Sequence, residues 1–110
     1  EPVDLYSATT ATYITLEAAP GKGPELAALL TAAGPIVGET EPGTLFWAAL
    51  QIDETSFAIF DIFTNNAGRE AHFAGQVAGL LKERAAELVA GGWDDGVVAN
   101  VHNFDILAIK

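Results

Sequence analysis

The sequence predicts an α+β domain in the ferredoxin-like order βαββαβ, with a four-stranded antiparallel sheet. Two segments carry apolar residues at three- and four-residue spacing, which is typical of half-buried helices. Four shorter segments are apolar throughout or alternate between polar and apolar residues, which is typical of strands. A chain of 110 residues, half of them hydrophobic, is long enough for one core, so residues 1–110 are expected to form a single domain.

The first third of the chain predicts an arm, a strand and a helix. Residues 1–10 show no period and are interpreted as an N-terminal arm, whereas Ala11–Ala19 alternates as a strand does. Pro24 is well placed to open a helix, whose buried stripe follows. Gly34-Pro35 predicts that this helix stops or kinks, because proline removes a backbone hydrogen bond and crowds the preceding turn. The stripe consists of Leu26, Leu29, Leu30 and Ala33.

The middle of the chain predicts a β-hairpin. Pro42-Gly43 is a turn signal, Thr44–Ile52 and Ser56–Thr64 are apolar runs, and a short polar link joins them. If Asp53 and Ser56 flank a two-residue turn, Trp47 lies opposite Ile62 and Ala49 lies opposite Phe60. These four residues would then face the helices, and Asp61 would lie on the other side of the sheet.

The last third predicts a capped helix and a final strand. Asn65 and Asn66 can cap a helix that begins near Ala67, and Gly91-Gly92 closes it. Residues 93–96 are expected to form a loop, with Trp93 as an unexplained aromatic residue. His102–Lys110 reads as the last strand, with His102 and Asn103 as edge residues. The helical stripe consists of Val77, Leu80, Leu81, Arg84, Ala85 and Leu88.

Two helices on one face of a four-stranded sheet leave the other face uncovered. Because the strands are apolar, a single copy would expose a large hydrophobic patch, so the sequence predicts a homodimer in which two sheets pack face to face.

Composition argues against several classes of function. The chain has 5 basic and 15 acidic residues and a formal net charge of −10, so a nucleic acid would be repelled. It has no cysteine, and neither a metal-ligand spacing nor a glycine-rich phosphate loop is recognisable. No apolar run is long enough to span a membrane. We therefore expect no metal, no nucleic acid and no membrane, and take the cytoplasm as the default location.

Two short segments carry a family resemblance. Glu41-Pro42-Gly43-Thr44 opens the hairpin, and Glu70-Ala71-His72-Phe73 lies in the following helix. In this order they resemble the antibiotic biosynthesis monooxygenase family, and the likeness extends over residues 13–109. The resemblance implies a dimeric α+β barrel that needs no cofactor and oxidises a small aromatic, quinol or polyketide-like phenol with O₂. The alternative is a non-catalytic dimer of the same fold that binds a small molecule or is structural.

The candidate site follows from the same resemblance. His72 is the predicted catalytic contact, since its pKa suits proton abstraction from a phenol or hydrogen bonding to an oxyanion. An unbroken helix would place His72 in solvent, whereas a break at Gly75 would let it border a cavity. Asp61 is interpreted as a hydrogen-bonding group of the dimer interface or as a catalytic base. The predicted apolar walls of the substrate site are Trp47, Phe60, Ile62 and Phe73.

Overall fold

The computed structural model describes residues 4–110, and its main elements follow the predicted order βαββαβ. The strands are β1 (Thr10–Glu17), β2 (Thr44–Gln51), β3 (Ser56–Phe63) and β4 (Val101–Asp105). The helices are α1 (Gly23–Thr40), α2 (Asn66–Phe73), α3 (Gln76–Leu88) and the short α4 (Gly92–Gly96). Leu5–Ser7 and Val98–Asn100 are 3-10 turns. Residues 1–3 of the predicted arm lie outside the described part of the chain.

The sheet is antiparallel throughout, in the order β2-β3-β1-β4. Helices α1 and α3 cover one of its faces and enclose the main core with it, as the α+β prediction requires. The buried core residues from the sheet are Ile14, Leu16, Phe57 and Ile59, and those from the two helices are Leu26, Leu30, Leu81, Ala85 and Leu88. No helix within residues 4–110 combines the length and apolarity needed to cross a bilayer.

The predicted pairing of the hairpin is wrong by one residue. Trp47 pairs with Asp61, and Phe46 pairs with Ile62. The Asp53 side chain accepts hydrogen bonds from the Thr55 and Ser56 backbone N–H groups, while Ile52 N–H bonds to the Ser56 carbonyl, so the reversal is longer than a two-residue turn. Because side chains alternate across a strand, this shift moves Asp61 to the helix side and sends Phe60 and Ile62 to the opposite face.

That opposite face of the sheet is apolar and only partly covered in the single chain, because Ala11 and Ile62 are buried against Ala8 and Ile106 while much of the rest is exposed. We call it the open face, and it comprises Ala11, Tyr13, Phe46, Ala48, Leu50, Phe60, Ile62, His102 and Phe104. Phe46, Leu50 and Phe104 are 45%, 46% and 53% exposed. A groove of about 630 Å³ runs over this face between Phe46, Phe60, Ile62 and the C-terminal segment 106–109.

Three other expectations differ from the structure. Helix α1 continues through Pro35 to Thr40, because Ala33 and Val37 on either side of the proline are buried and hold the turn in place. Strand β4 ends at Asp105, and the residues after it leave the sheet. The expected loop after Gly91-Gly92 contains the one-turn helix α4, which brings Trp93 against the core.

A contact between two glycines joins the turn before β2 to helix α2. A Cβ built on Gly68 would lie 2.8 Å from the Gly43 carbonyl oxygen, and one built on Gly43 would lie 3.0 Å from the Gly68 Cα. The Thr64 N–H also donates to the Gly43 carbonyl, at 3.3 Å. Neither position has room for a side chain, so the turn before β2 and the first turn of α2 are in direct backbone contact.

We expect Gly68→Ala to lower the free energy of unfolding by about 1–3 kcal/mol, because the backbone must move apart to admit the methyl group. Gly79→Ala is the matched control, since Gly79 lies in α3 with open space around its Cα. There the substitution should stabilise the helix by roughly 0.5–1 kcal/mol. Urea unfolding of both variants measures the difference, and equal effects would contradict the contact.

Candidate functional site

His72 lies between two buried carboxylates on the helix side of the sheet. Its Nδ1 is 2.5 Å from Glu41 Oε1, and its Nε2 is 3.0 Å from Asp61 Oδ2. His72 is 4% exposed, Glu41 is 7% exposed and Asp61 is 0% exposed. We call this group the buried cluster. It is formed by the end of α1, the middle of β3 and helix α2.

A break between helices α2 and α3, one of the two arrangements considered from the sequence, places His72 in the interior. Helix α2 ends at Phe73, and α3 begins at Gln76 with Gly75 as its N-cap, so the two are separate helices. The Asn65 side chain accepts the Gly68 N–H at 3.0 Å and caps α2, as expected. This separate orientation of α2 turns His72 inwards, so its side chain is buried rather than in solvent.

Glu41 is held in place by the residues of its own turn and by the break between α2 and α3. The Thr44 hydroxyl donates to Glu41 Oε1 at 2.9 Å, which leaves that oxygen shared between threonine and imidazole. A Cβ on Gly75 would lie 2.9 Å from Glu41 Oε2, so the glycine leaves room for the carboxylate. The Glu41-Pro42-Gly43-Thr44 turn therefore serves to present a carboxylate to His72.

The pKa values of Asp61 and His72 are both raised in the folded protein, by burial and by neighbouring charges. Burial raises the pKa of Asp61 above its ordinary value, and the nearby His72 opposes this shift without reversing it. Burial by itself would lower the pKa of His72, but the contacts with Asp61 and then with Glu41 raise it overall. Both groups hold a proton more firmly in the folded protein than in the unfolded chain.

The geometry requires an additional proton in the buried cluster. A neutral imidazole has one N–H and one lone pair, so one of the two carboxylates would face the lone pair. Either the imidazole is doubly protonated or the Asp61 carboxyl group carries the proton. In both cases the cluster has a net charge of −1 rather than −2.

Several polar atoms of this region have no hydrogen-bond partner among the described residues. Glu41 Oε2, both oxygens of Asp61 and Trp47 Nε1 are buried without such a partner, and Asp61 Oδ2 has only the 3.0 Å ion-pair contact with His72 Nε2. Trp47 and Asp61 are cross-strand neighbours on the same face. Unpaired groups of this kind are unfavourable in a closed core and are common at functional sites.

Arg69 supplies the positive charge nearest to the cluster. Its guanidinium donates to the Thr10 hydroxyl, to the Ala11 carbonyl at 3.4 Å and to Asn66 Oδ1 at 2.9 Å. The charge of Arg69 acts to lower the pKa of Asp61, more weakly than burial raises it.

A largely apolar pocket of about 470 Å³ lies beside the buried cluster, between the end of α2, helix α4 and strand β4. Its walls are Phe73, Trp93, Val97, Val98, Val101 and Asn103. The Phe73 ring is 5.4 Å from the His72 ring, so one side chain separates the pocket from the imidazole. Asn103, which also lines the pocket, accepts a hydrogen bond from the Thr12 hydroxyl, and Thr12 pairs with Asp61 across the sheet. This volume is within the range of small-molecule sites.

The predicted site residues are divided between three places. Phe73 lines the pocket, and His72 lies behind it. Trp47 faces the helices as expected but packs into the core beside α1. Phe60 and Ile62 line the groove of the open face, because of the register shift.

Other residues of the site were not identified from the sequence. Glu41 was read as part of a turn, although its place in the family-like segment could have suggested a polar role. Trp93 and Asn103 were noted without a function, since the placement of α4 and β4 around one pocket leaves no periodic signal in the sequence. Asp61 was identified, but on the wrong side of the sheet. Among residues 4–110, no group of three or more His, Cys, Asp or Glu side chains is arranged to hold a metal ion.

Comparison with known proteins identifies relatives by structure. No protein-family model matches the chain, and no curated protein matches it. The NE2512 protein of Nitrosomonas europaea, of unknown function, is 35% identical, with a TM-score of 0.85 over 96% of this chain and 95% of that one.

Two more distant structures carry provisional names as antibiotic biosynthesis monooxygenases. The one from Bacteroides thetaiotaomicron is 18% identical, with a TM-score of 0.71 over 96% of this chain and 93% of that one. The one from Caulobacter crescentus is 14% identical, with a TM-score of 0.70 over the same shares. The chain therefore belongs to the same family as the NE2512 protein and has the fold of the antibiotic biosynthesis monooxygenases, which its sequence resembles.

Proposed function

We propose that the protein is a cofactor-independent monooxygenase that oxidises a small aromatic, quinol or polyketide-like phenol with O₂. The observation that carries this proposal is an apolar pocket separated by one aromatic ring from a buried cluster of two carboxylates and an imidazole. An apolar pocket suits a planar aromatic molecule, and a buried acid of raised pKa suits proton transfer near neutral pH.

The substrate supplies the electrons in this reaction. Loss of a proton from an anthrone or a phenol gives an electron-rich anion, which transfers one electron to O₂. The resulting radical and superoxide combine into a peroxide anion, which takes back the proton from the acceptor to give a hydroperoxide, and loss of water then leaves a carbonyl group. For an anthrone, a CH₂ group and O₂ become a C=O group and H₂O, with no other oxidant or reductant. The protein contributes an apolar pocket that orients the substrate, and a proton acceptor.

The buried cluster is the proton acceptor in this proposal. Asp61 has an unpartnered oxygen and receives the proton, while His72, held by Glu41, fixes the position of Asp61 and adjusts its pKa. Phe73 connects the pocket to the buried cluster, because its ring both lines the pocket and contacts His72. Displacement of that ring by a bound substrate joins the pocket to the cluster.

The alternative is a binding or structural protein with the same fold and no reaction. The unpaired buried atoms of Asp61 and Glu41 favour the enzyme, because they are unfavourable for stability and a protein that only binds has no need of them.

Oxygen consumption with a panel of quinols and anthrones tests the proposal. We expect uptake with the wild-type protein, and Asp61→Asn should lower its rate roughly 10²–10⁴-fold, as loss of a positioned proton acceptor does. His72→Gln should lower it less, since it acts through Asp61.

Glu70→Gln is the matched control, because Glu70 is an exposed acid on α2 and undergoes the same acid-to-amide change. It should retain the wild-type rate. Absence of wild-type uptake with every member of the panel would support the alternative. Equal rates for Asp61→Asn and Glu70→Gln would remove Asp61 from the mechanism.

We further propose that a second copy of the chain covers the open face. The groove there is lined almost entirely by apolar residues, and large side chains such as Phe46 and Leu107 are 45% and 98% exposed. Face-to-face packing of two such sheets buries these residues, and it leaves the pocket on the helix side of each subunit unobstructed.

Light scattering should give twice the 11.5 kDa mass of the chain at micromolar concentration. Phe46→Glu should shift the mass towards one chain, because it buries two like charges in the interface. Leu80→Glu is the control, since Leu80 is 40% exposed on α3, away from the open face, and should leave the mass unchanged. A wild-type mass of one chain would contradict the dimer.

The additional proton of the buried cluster also predicts a pH dependence of stability. The folded-state pKa of His72 is raised, so the native protein keeps this proton above pH 6.5, where the unfolded chain releases it. The stability that the proton contributes is complete below about pH 6.5 and is lost as the pH rises through the folded-state pKa. The raised pKa of Asp61 changes the stability in the same direction, because ionisation of this buried carboxyl group also lowers the free energy of unfolding.

Urea unfolding at intervals between pH 6 and pH 9 measures this loss. We expect the free energy of unfolding of the wild type to fall with pH, at a slope of at most about 1.4 kcal/mol per pH unit for one proton. Asp61→Asn should flatten the slope by removing the strongest interaction that raises the pKa of His72, whereas Glu70→Gln should keep it. Identical slopes for wild type and Asp61→Asn would contradict the assignment.

A further inference from the structure

We propose that Asn103 is the residue that recognises the substrate oxygen in the pocket, with Thr12 as the positioning residue that orients its amide. This inference rests on the proposed function for the identity of the substrate. The inference goes beyond the proposed function by naming a specificity-determining contact on β4, a strand outside the two short segments that carry the specific points of the resemblance.

The composition of the pocket wall is the first observation. Five of the six lining residues are apolar, and Asn103 supplies the polar side chain among them. In a mostly apolar site, a single polar group decides the orientation of a ligand, because a ligand oxygen placed elsewhere would lose its hydrogen bonds to water without replacement.

The orientation of the amide is the second observation. The Thr12 hydroxyl donates to Asn103 Oδ1 at 2.8 Å, and Thr12 itself is completely buried. The amide oxygen of Asn103 therefore already accepts a hydrogen bond from a buried donor. The Nδ2 group, with two N–H donors, remains available to the pocket.

The available donor determines the chemical class of the ligand. An amide N–H₂ pairs with a carbonyl or phenolate oxygen, and it stabilises negative charge that develops on that oxygen when a neighbouring carbon loses its proton. The ligand is thus an aromatic molecule that carries a carbonyl or phenolate oxygen, rather than an unsubstituted hydrocarbon.

Equilibrium dialysis with 1,4-naphthoquinone and naphthalene tests the role of Asn103. The two probes share a ring system, and only the quinone has acceptor oxygens; the absence of cysteine removes the thiols with which quinones react most readily. Asn103→Leu keeps the approximate size of the side chain and removes the donor. We expect it to weaken quinone binding roughly 3- to 10-fold, the worth of one hydrogen bond, and to leave naphthalene binding unchanged or tighter.

Two further variants separate recognition from general damage to the pocket. Asn103→Asp keeps an acceptor for Thr12 but replaces the donor with a negative charge, so it should weaken quinone binding more than Asn103→Leu does. Thr12→Val removes the hydroxyl that orients the amide and should weaken quinone binding less. Asn65→Asp is the matched control: it makes the same charge change at the α2 N-cap, where aspartate also caps, and should bind both probes as the wild type does.

The outcomes distinguish this inference from the proposed function. A loss confined to the quinone supports Asn103 even if no oxygen is consumed, and in that case only the oxygenase is contradicted. Equal losses for both probes in Asn103→Leu overturn the role of Asn103, whatever the oxygen electrode shows. Failure of the wild-type protein to bind either probe overturns it as well.

Discussion

The position of one imidazole between two buried carboxylates is the constraint on which the rest of the structure depends. Glu41, Asp61 and His72 come from three different elements, so their meeting fixes the end of α1, the middle of β3 and helix α2 relative to one another. Removing any one of them would leave an uncompensated buried group, and the cost of such a group exceeds the net gain from forming the pair. The cluster thus holds the fold to one arrangement of its helices.

Small residues around the cluster make this arrangement possible. The Gly43–Gly68 contact lets the turn and α2 approach to backbone distance, and Gly75 both separates α2 from α3 and leaves room for the Glu41 carboxylate. A methyl group at any of these positions would move the carboxylate or the imidazole. Glycine here is required by close approach rather than by an unusual backbone angle, since all three positions lie outside the positive-φ region.

The sequence predicted the order of elements because that order depends on local signals. Hydrophobic period, the Pro24 helix start and the Asn65 cap each act within a few residues, and all three are present in the structure. Relations between elements were harder to predict. Register depends on the conformation of the link at 53–56, where Asp53 accepts backbone hydrogen bonds, and a shift of one residue moved Asp61 from the expected interface into the site. The roles of Trp93 and Asn103 depend on the placement of α4 and β4 around the same pocket, which no local pattern records.

The alternation of side chains along β4 links the two sides of the sheet. Val101 and Asn103 point towards the pocket, while His102 and Phe104 belong to the open face, and the following residues line the groove there. Strand β4 is an edge strand of five residues, paired only with β1 among the described elements, so little else restrains it. Any molecule that presses on Phe104 therefore also stiffens the backbone that carries Asn103. Association of two chains and ligand binding in the pocket would then be thermodynamically linked, because each would strengthen the other through strand β4.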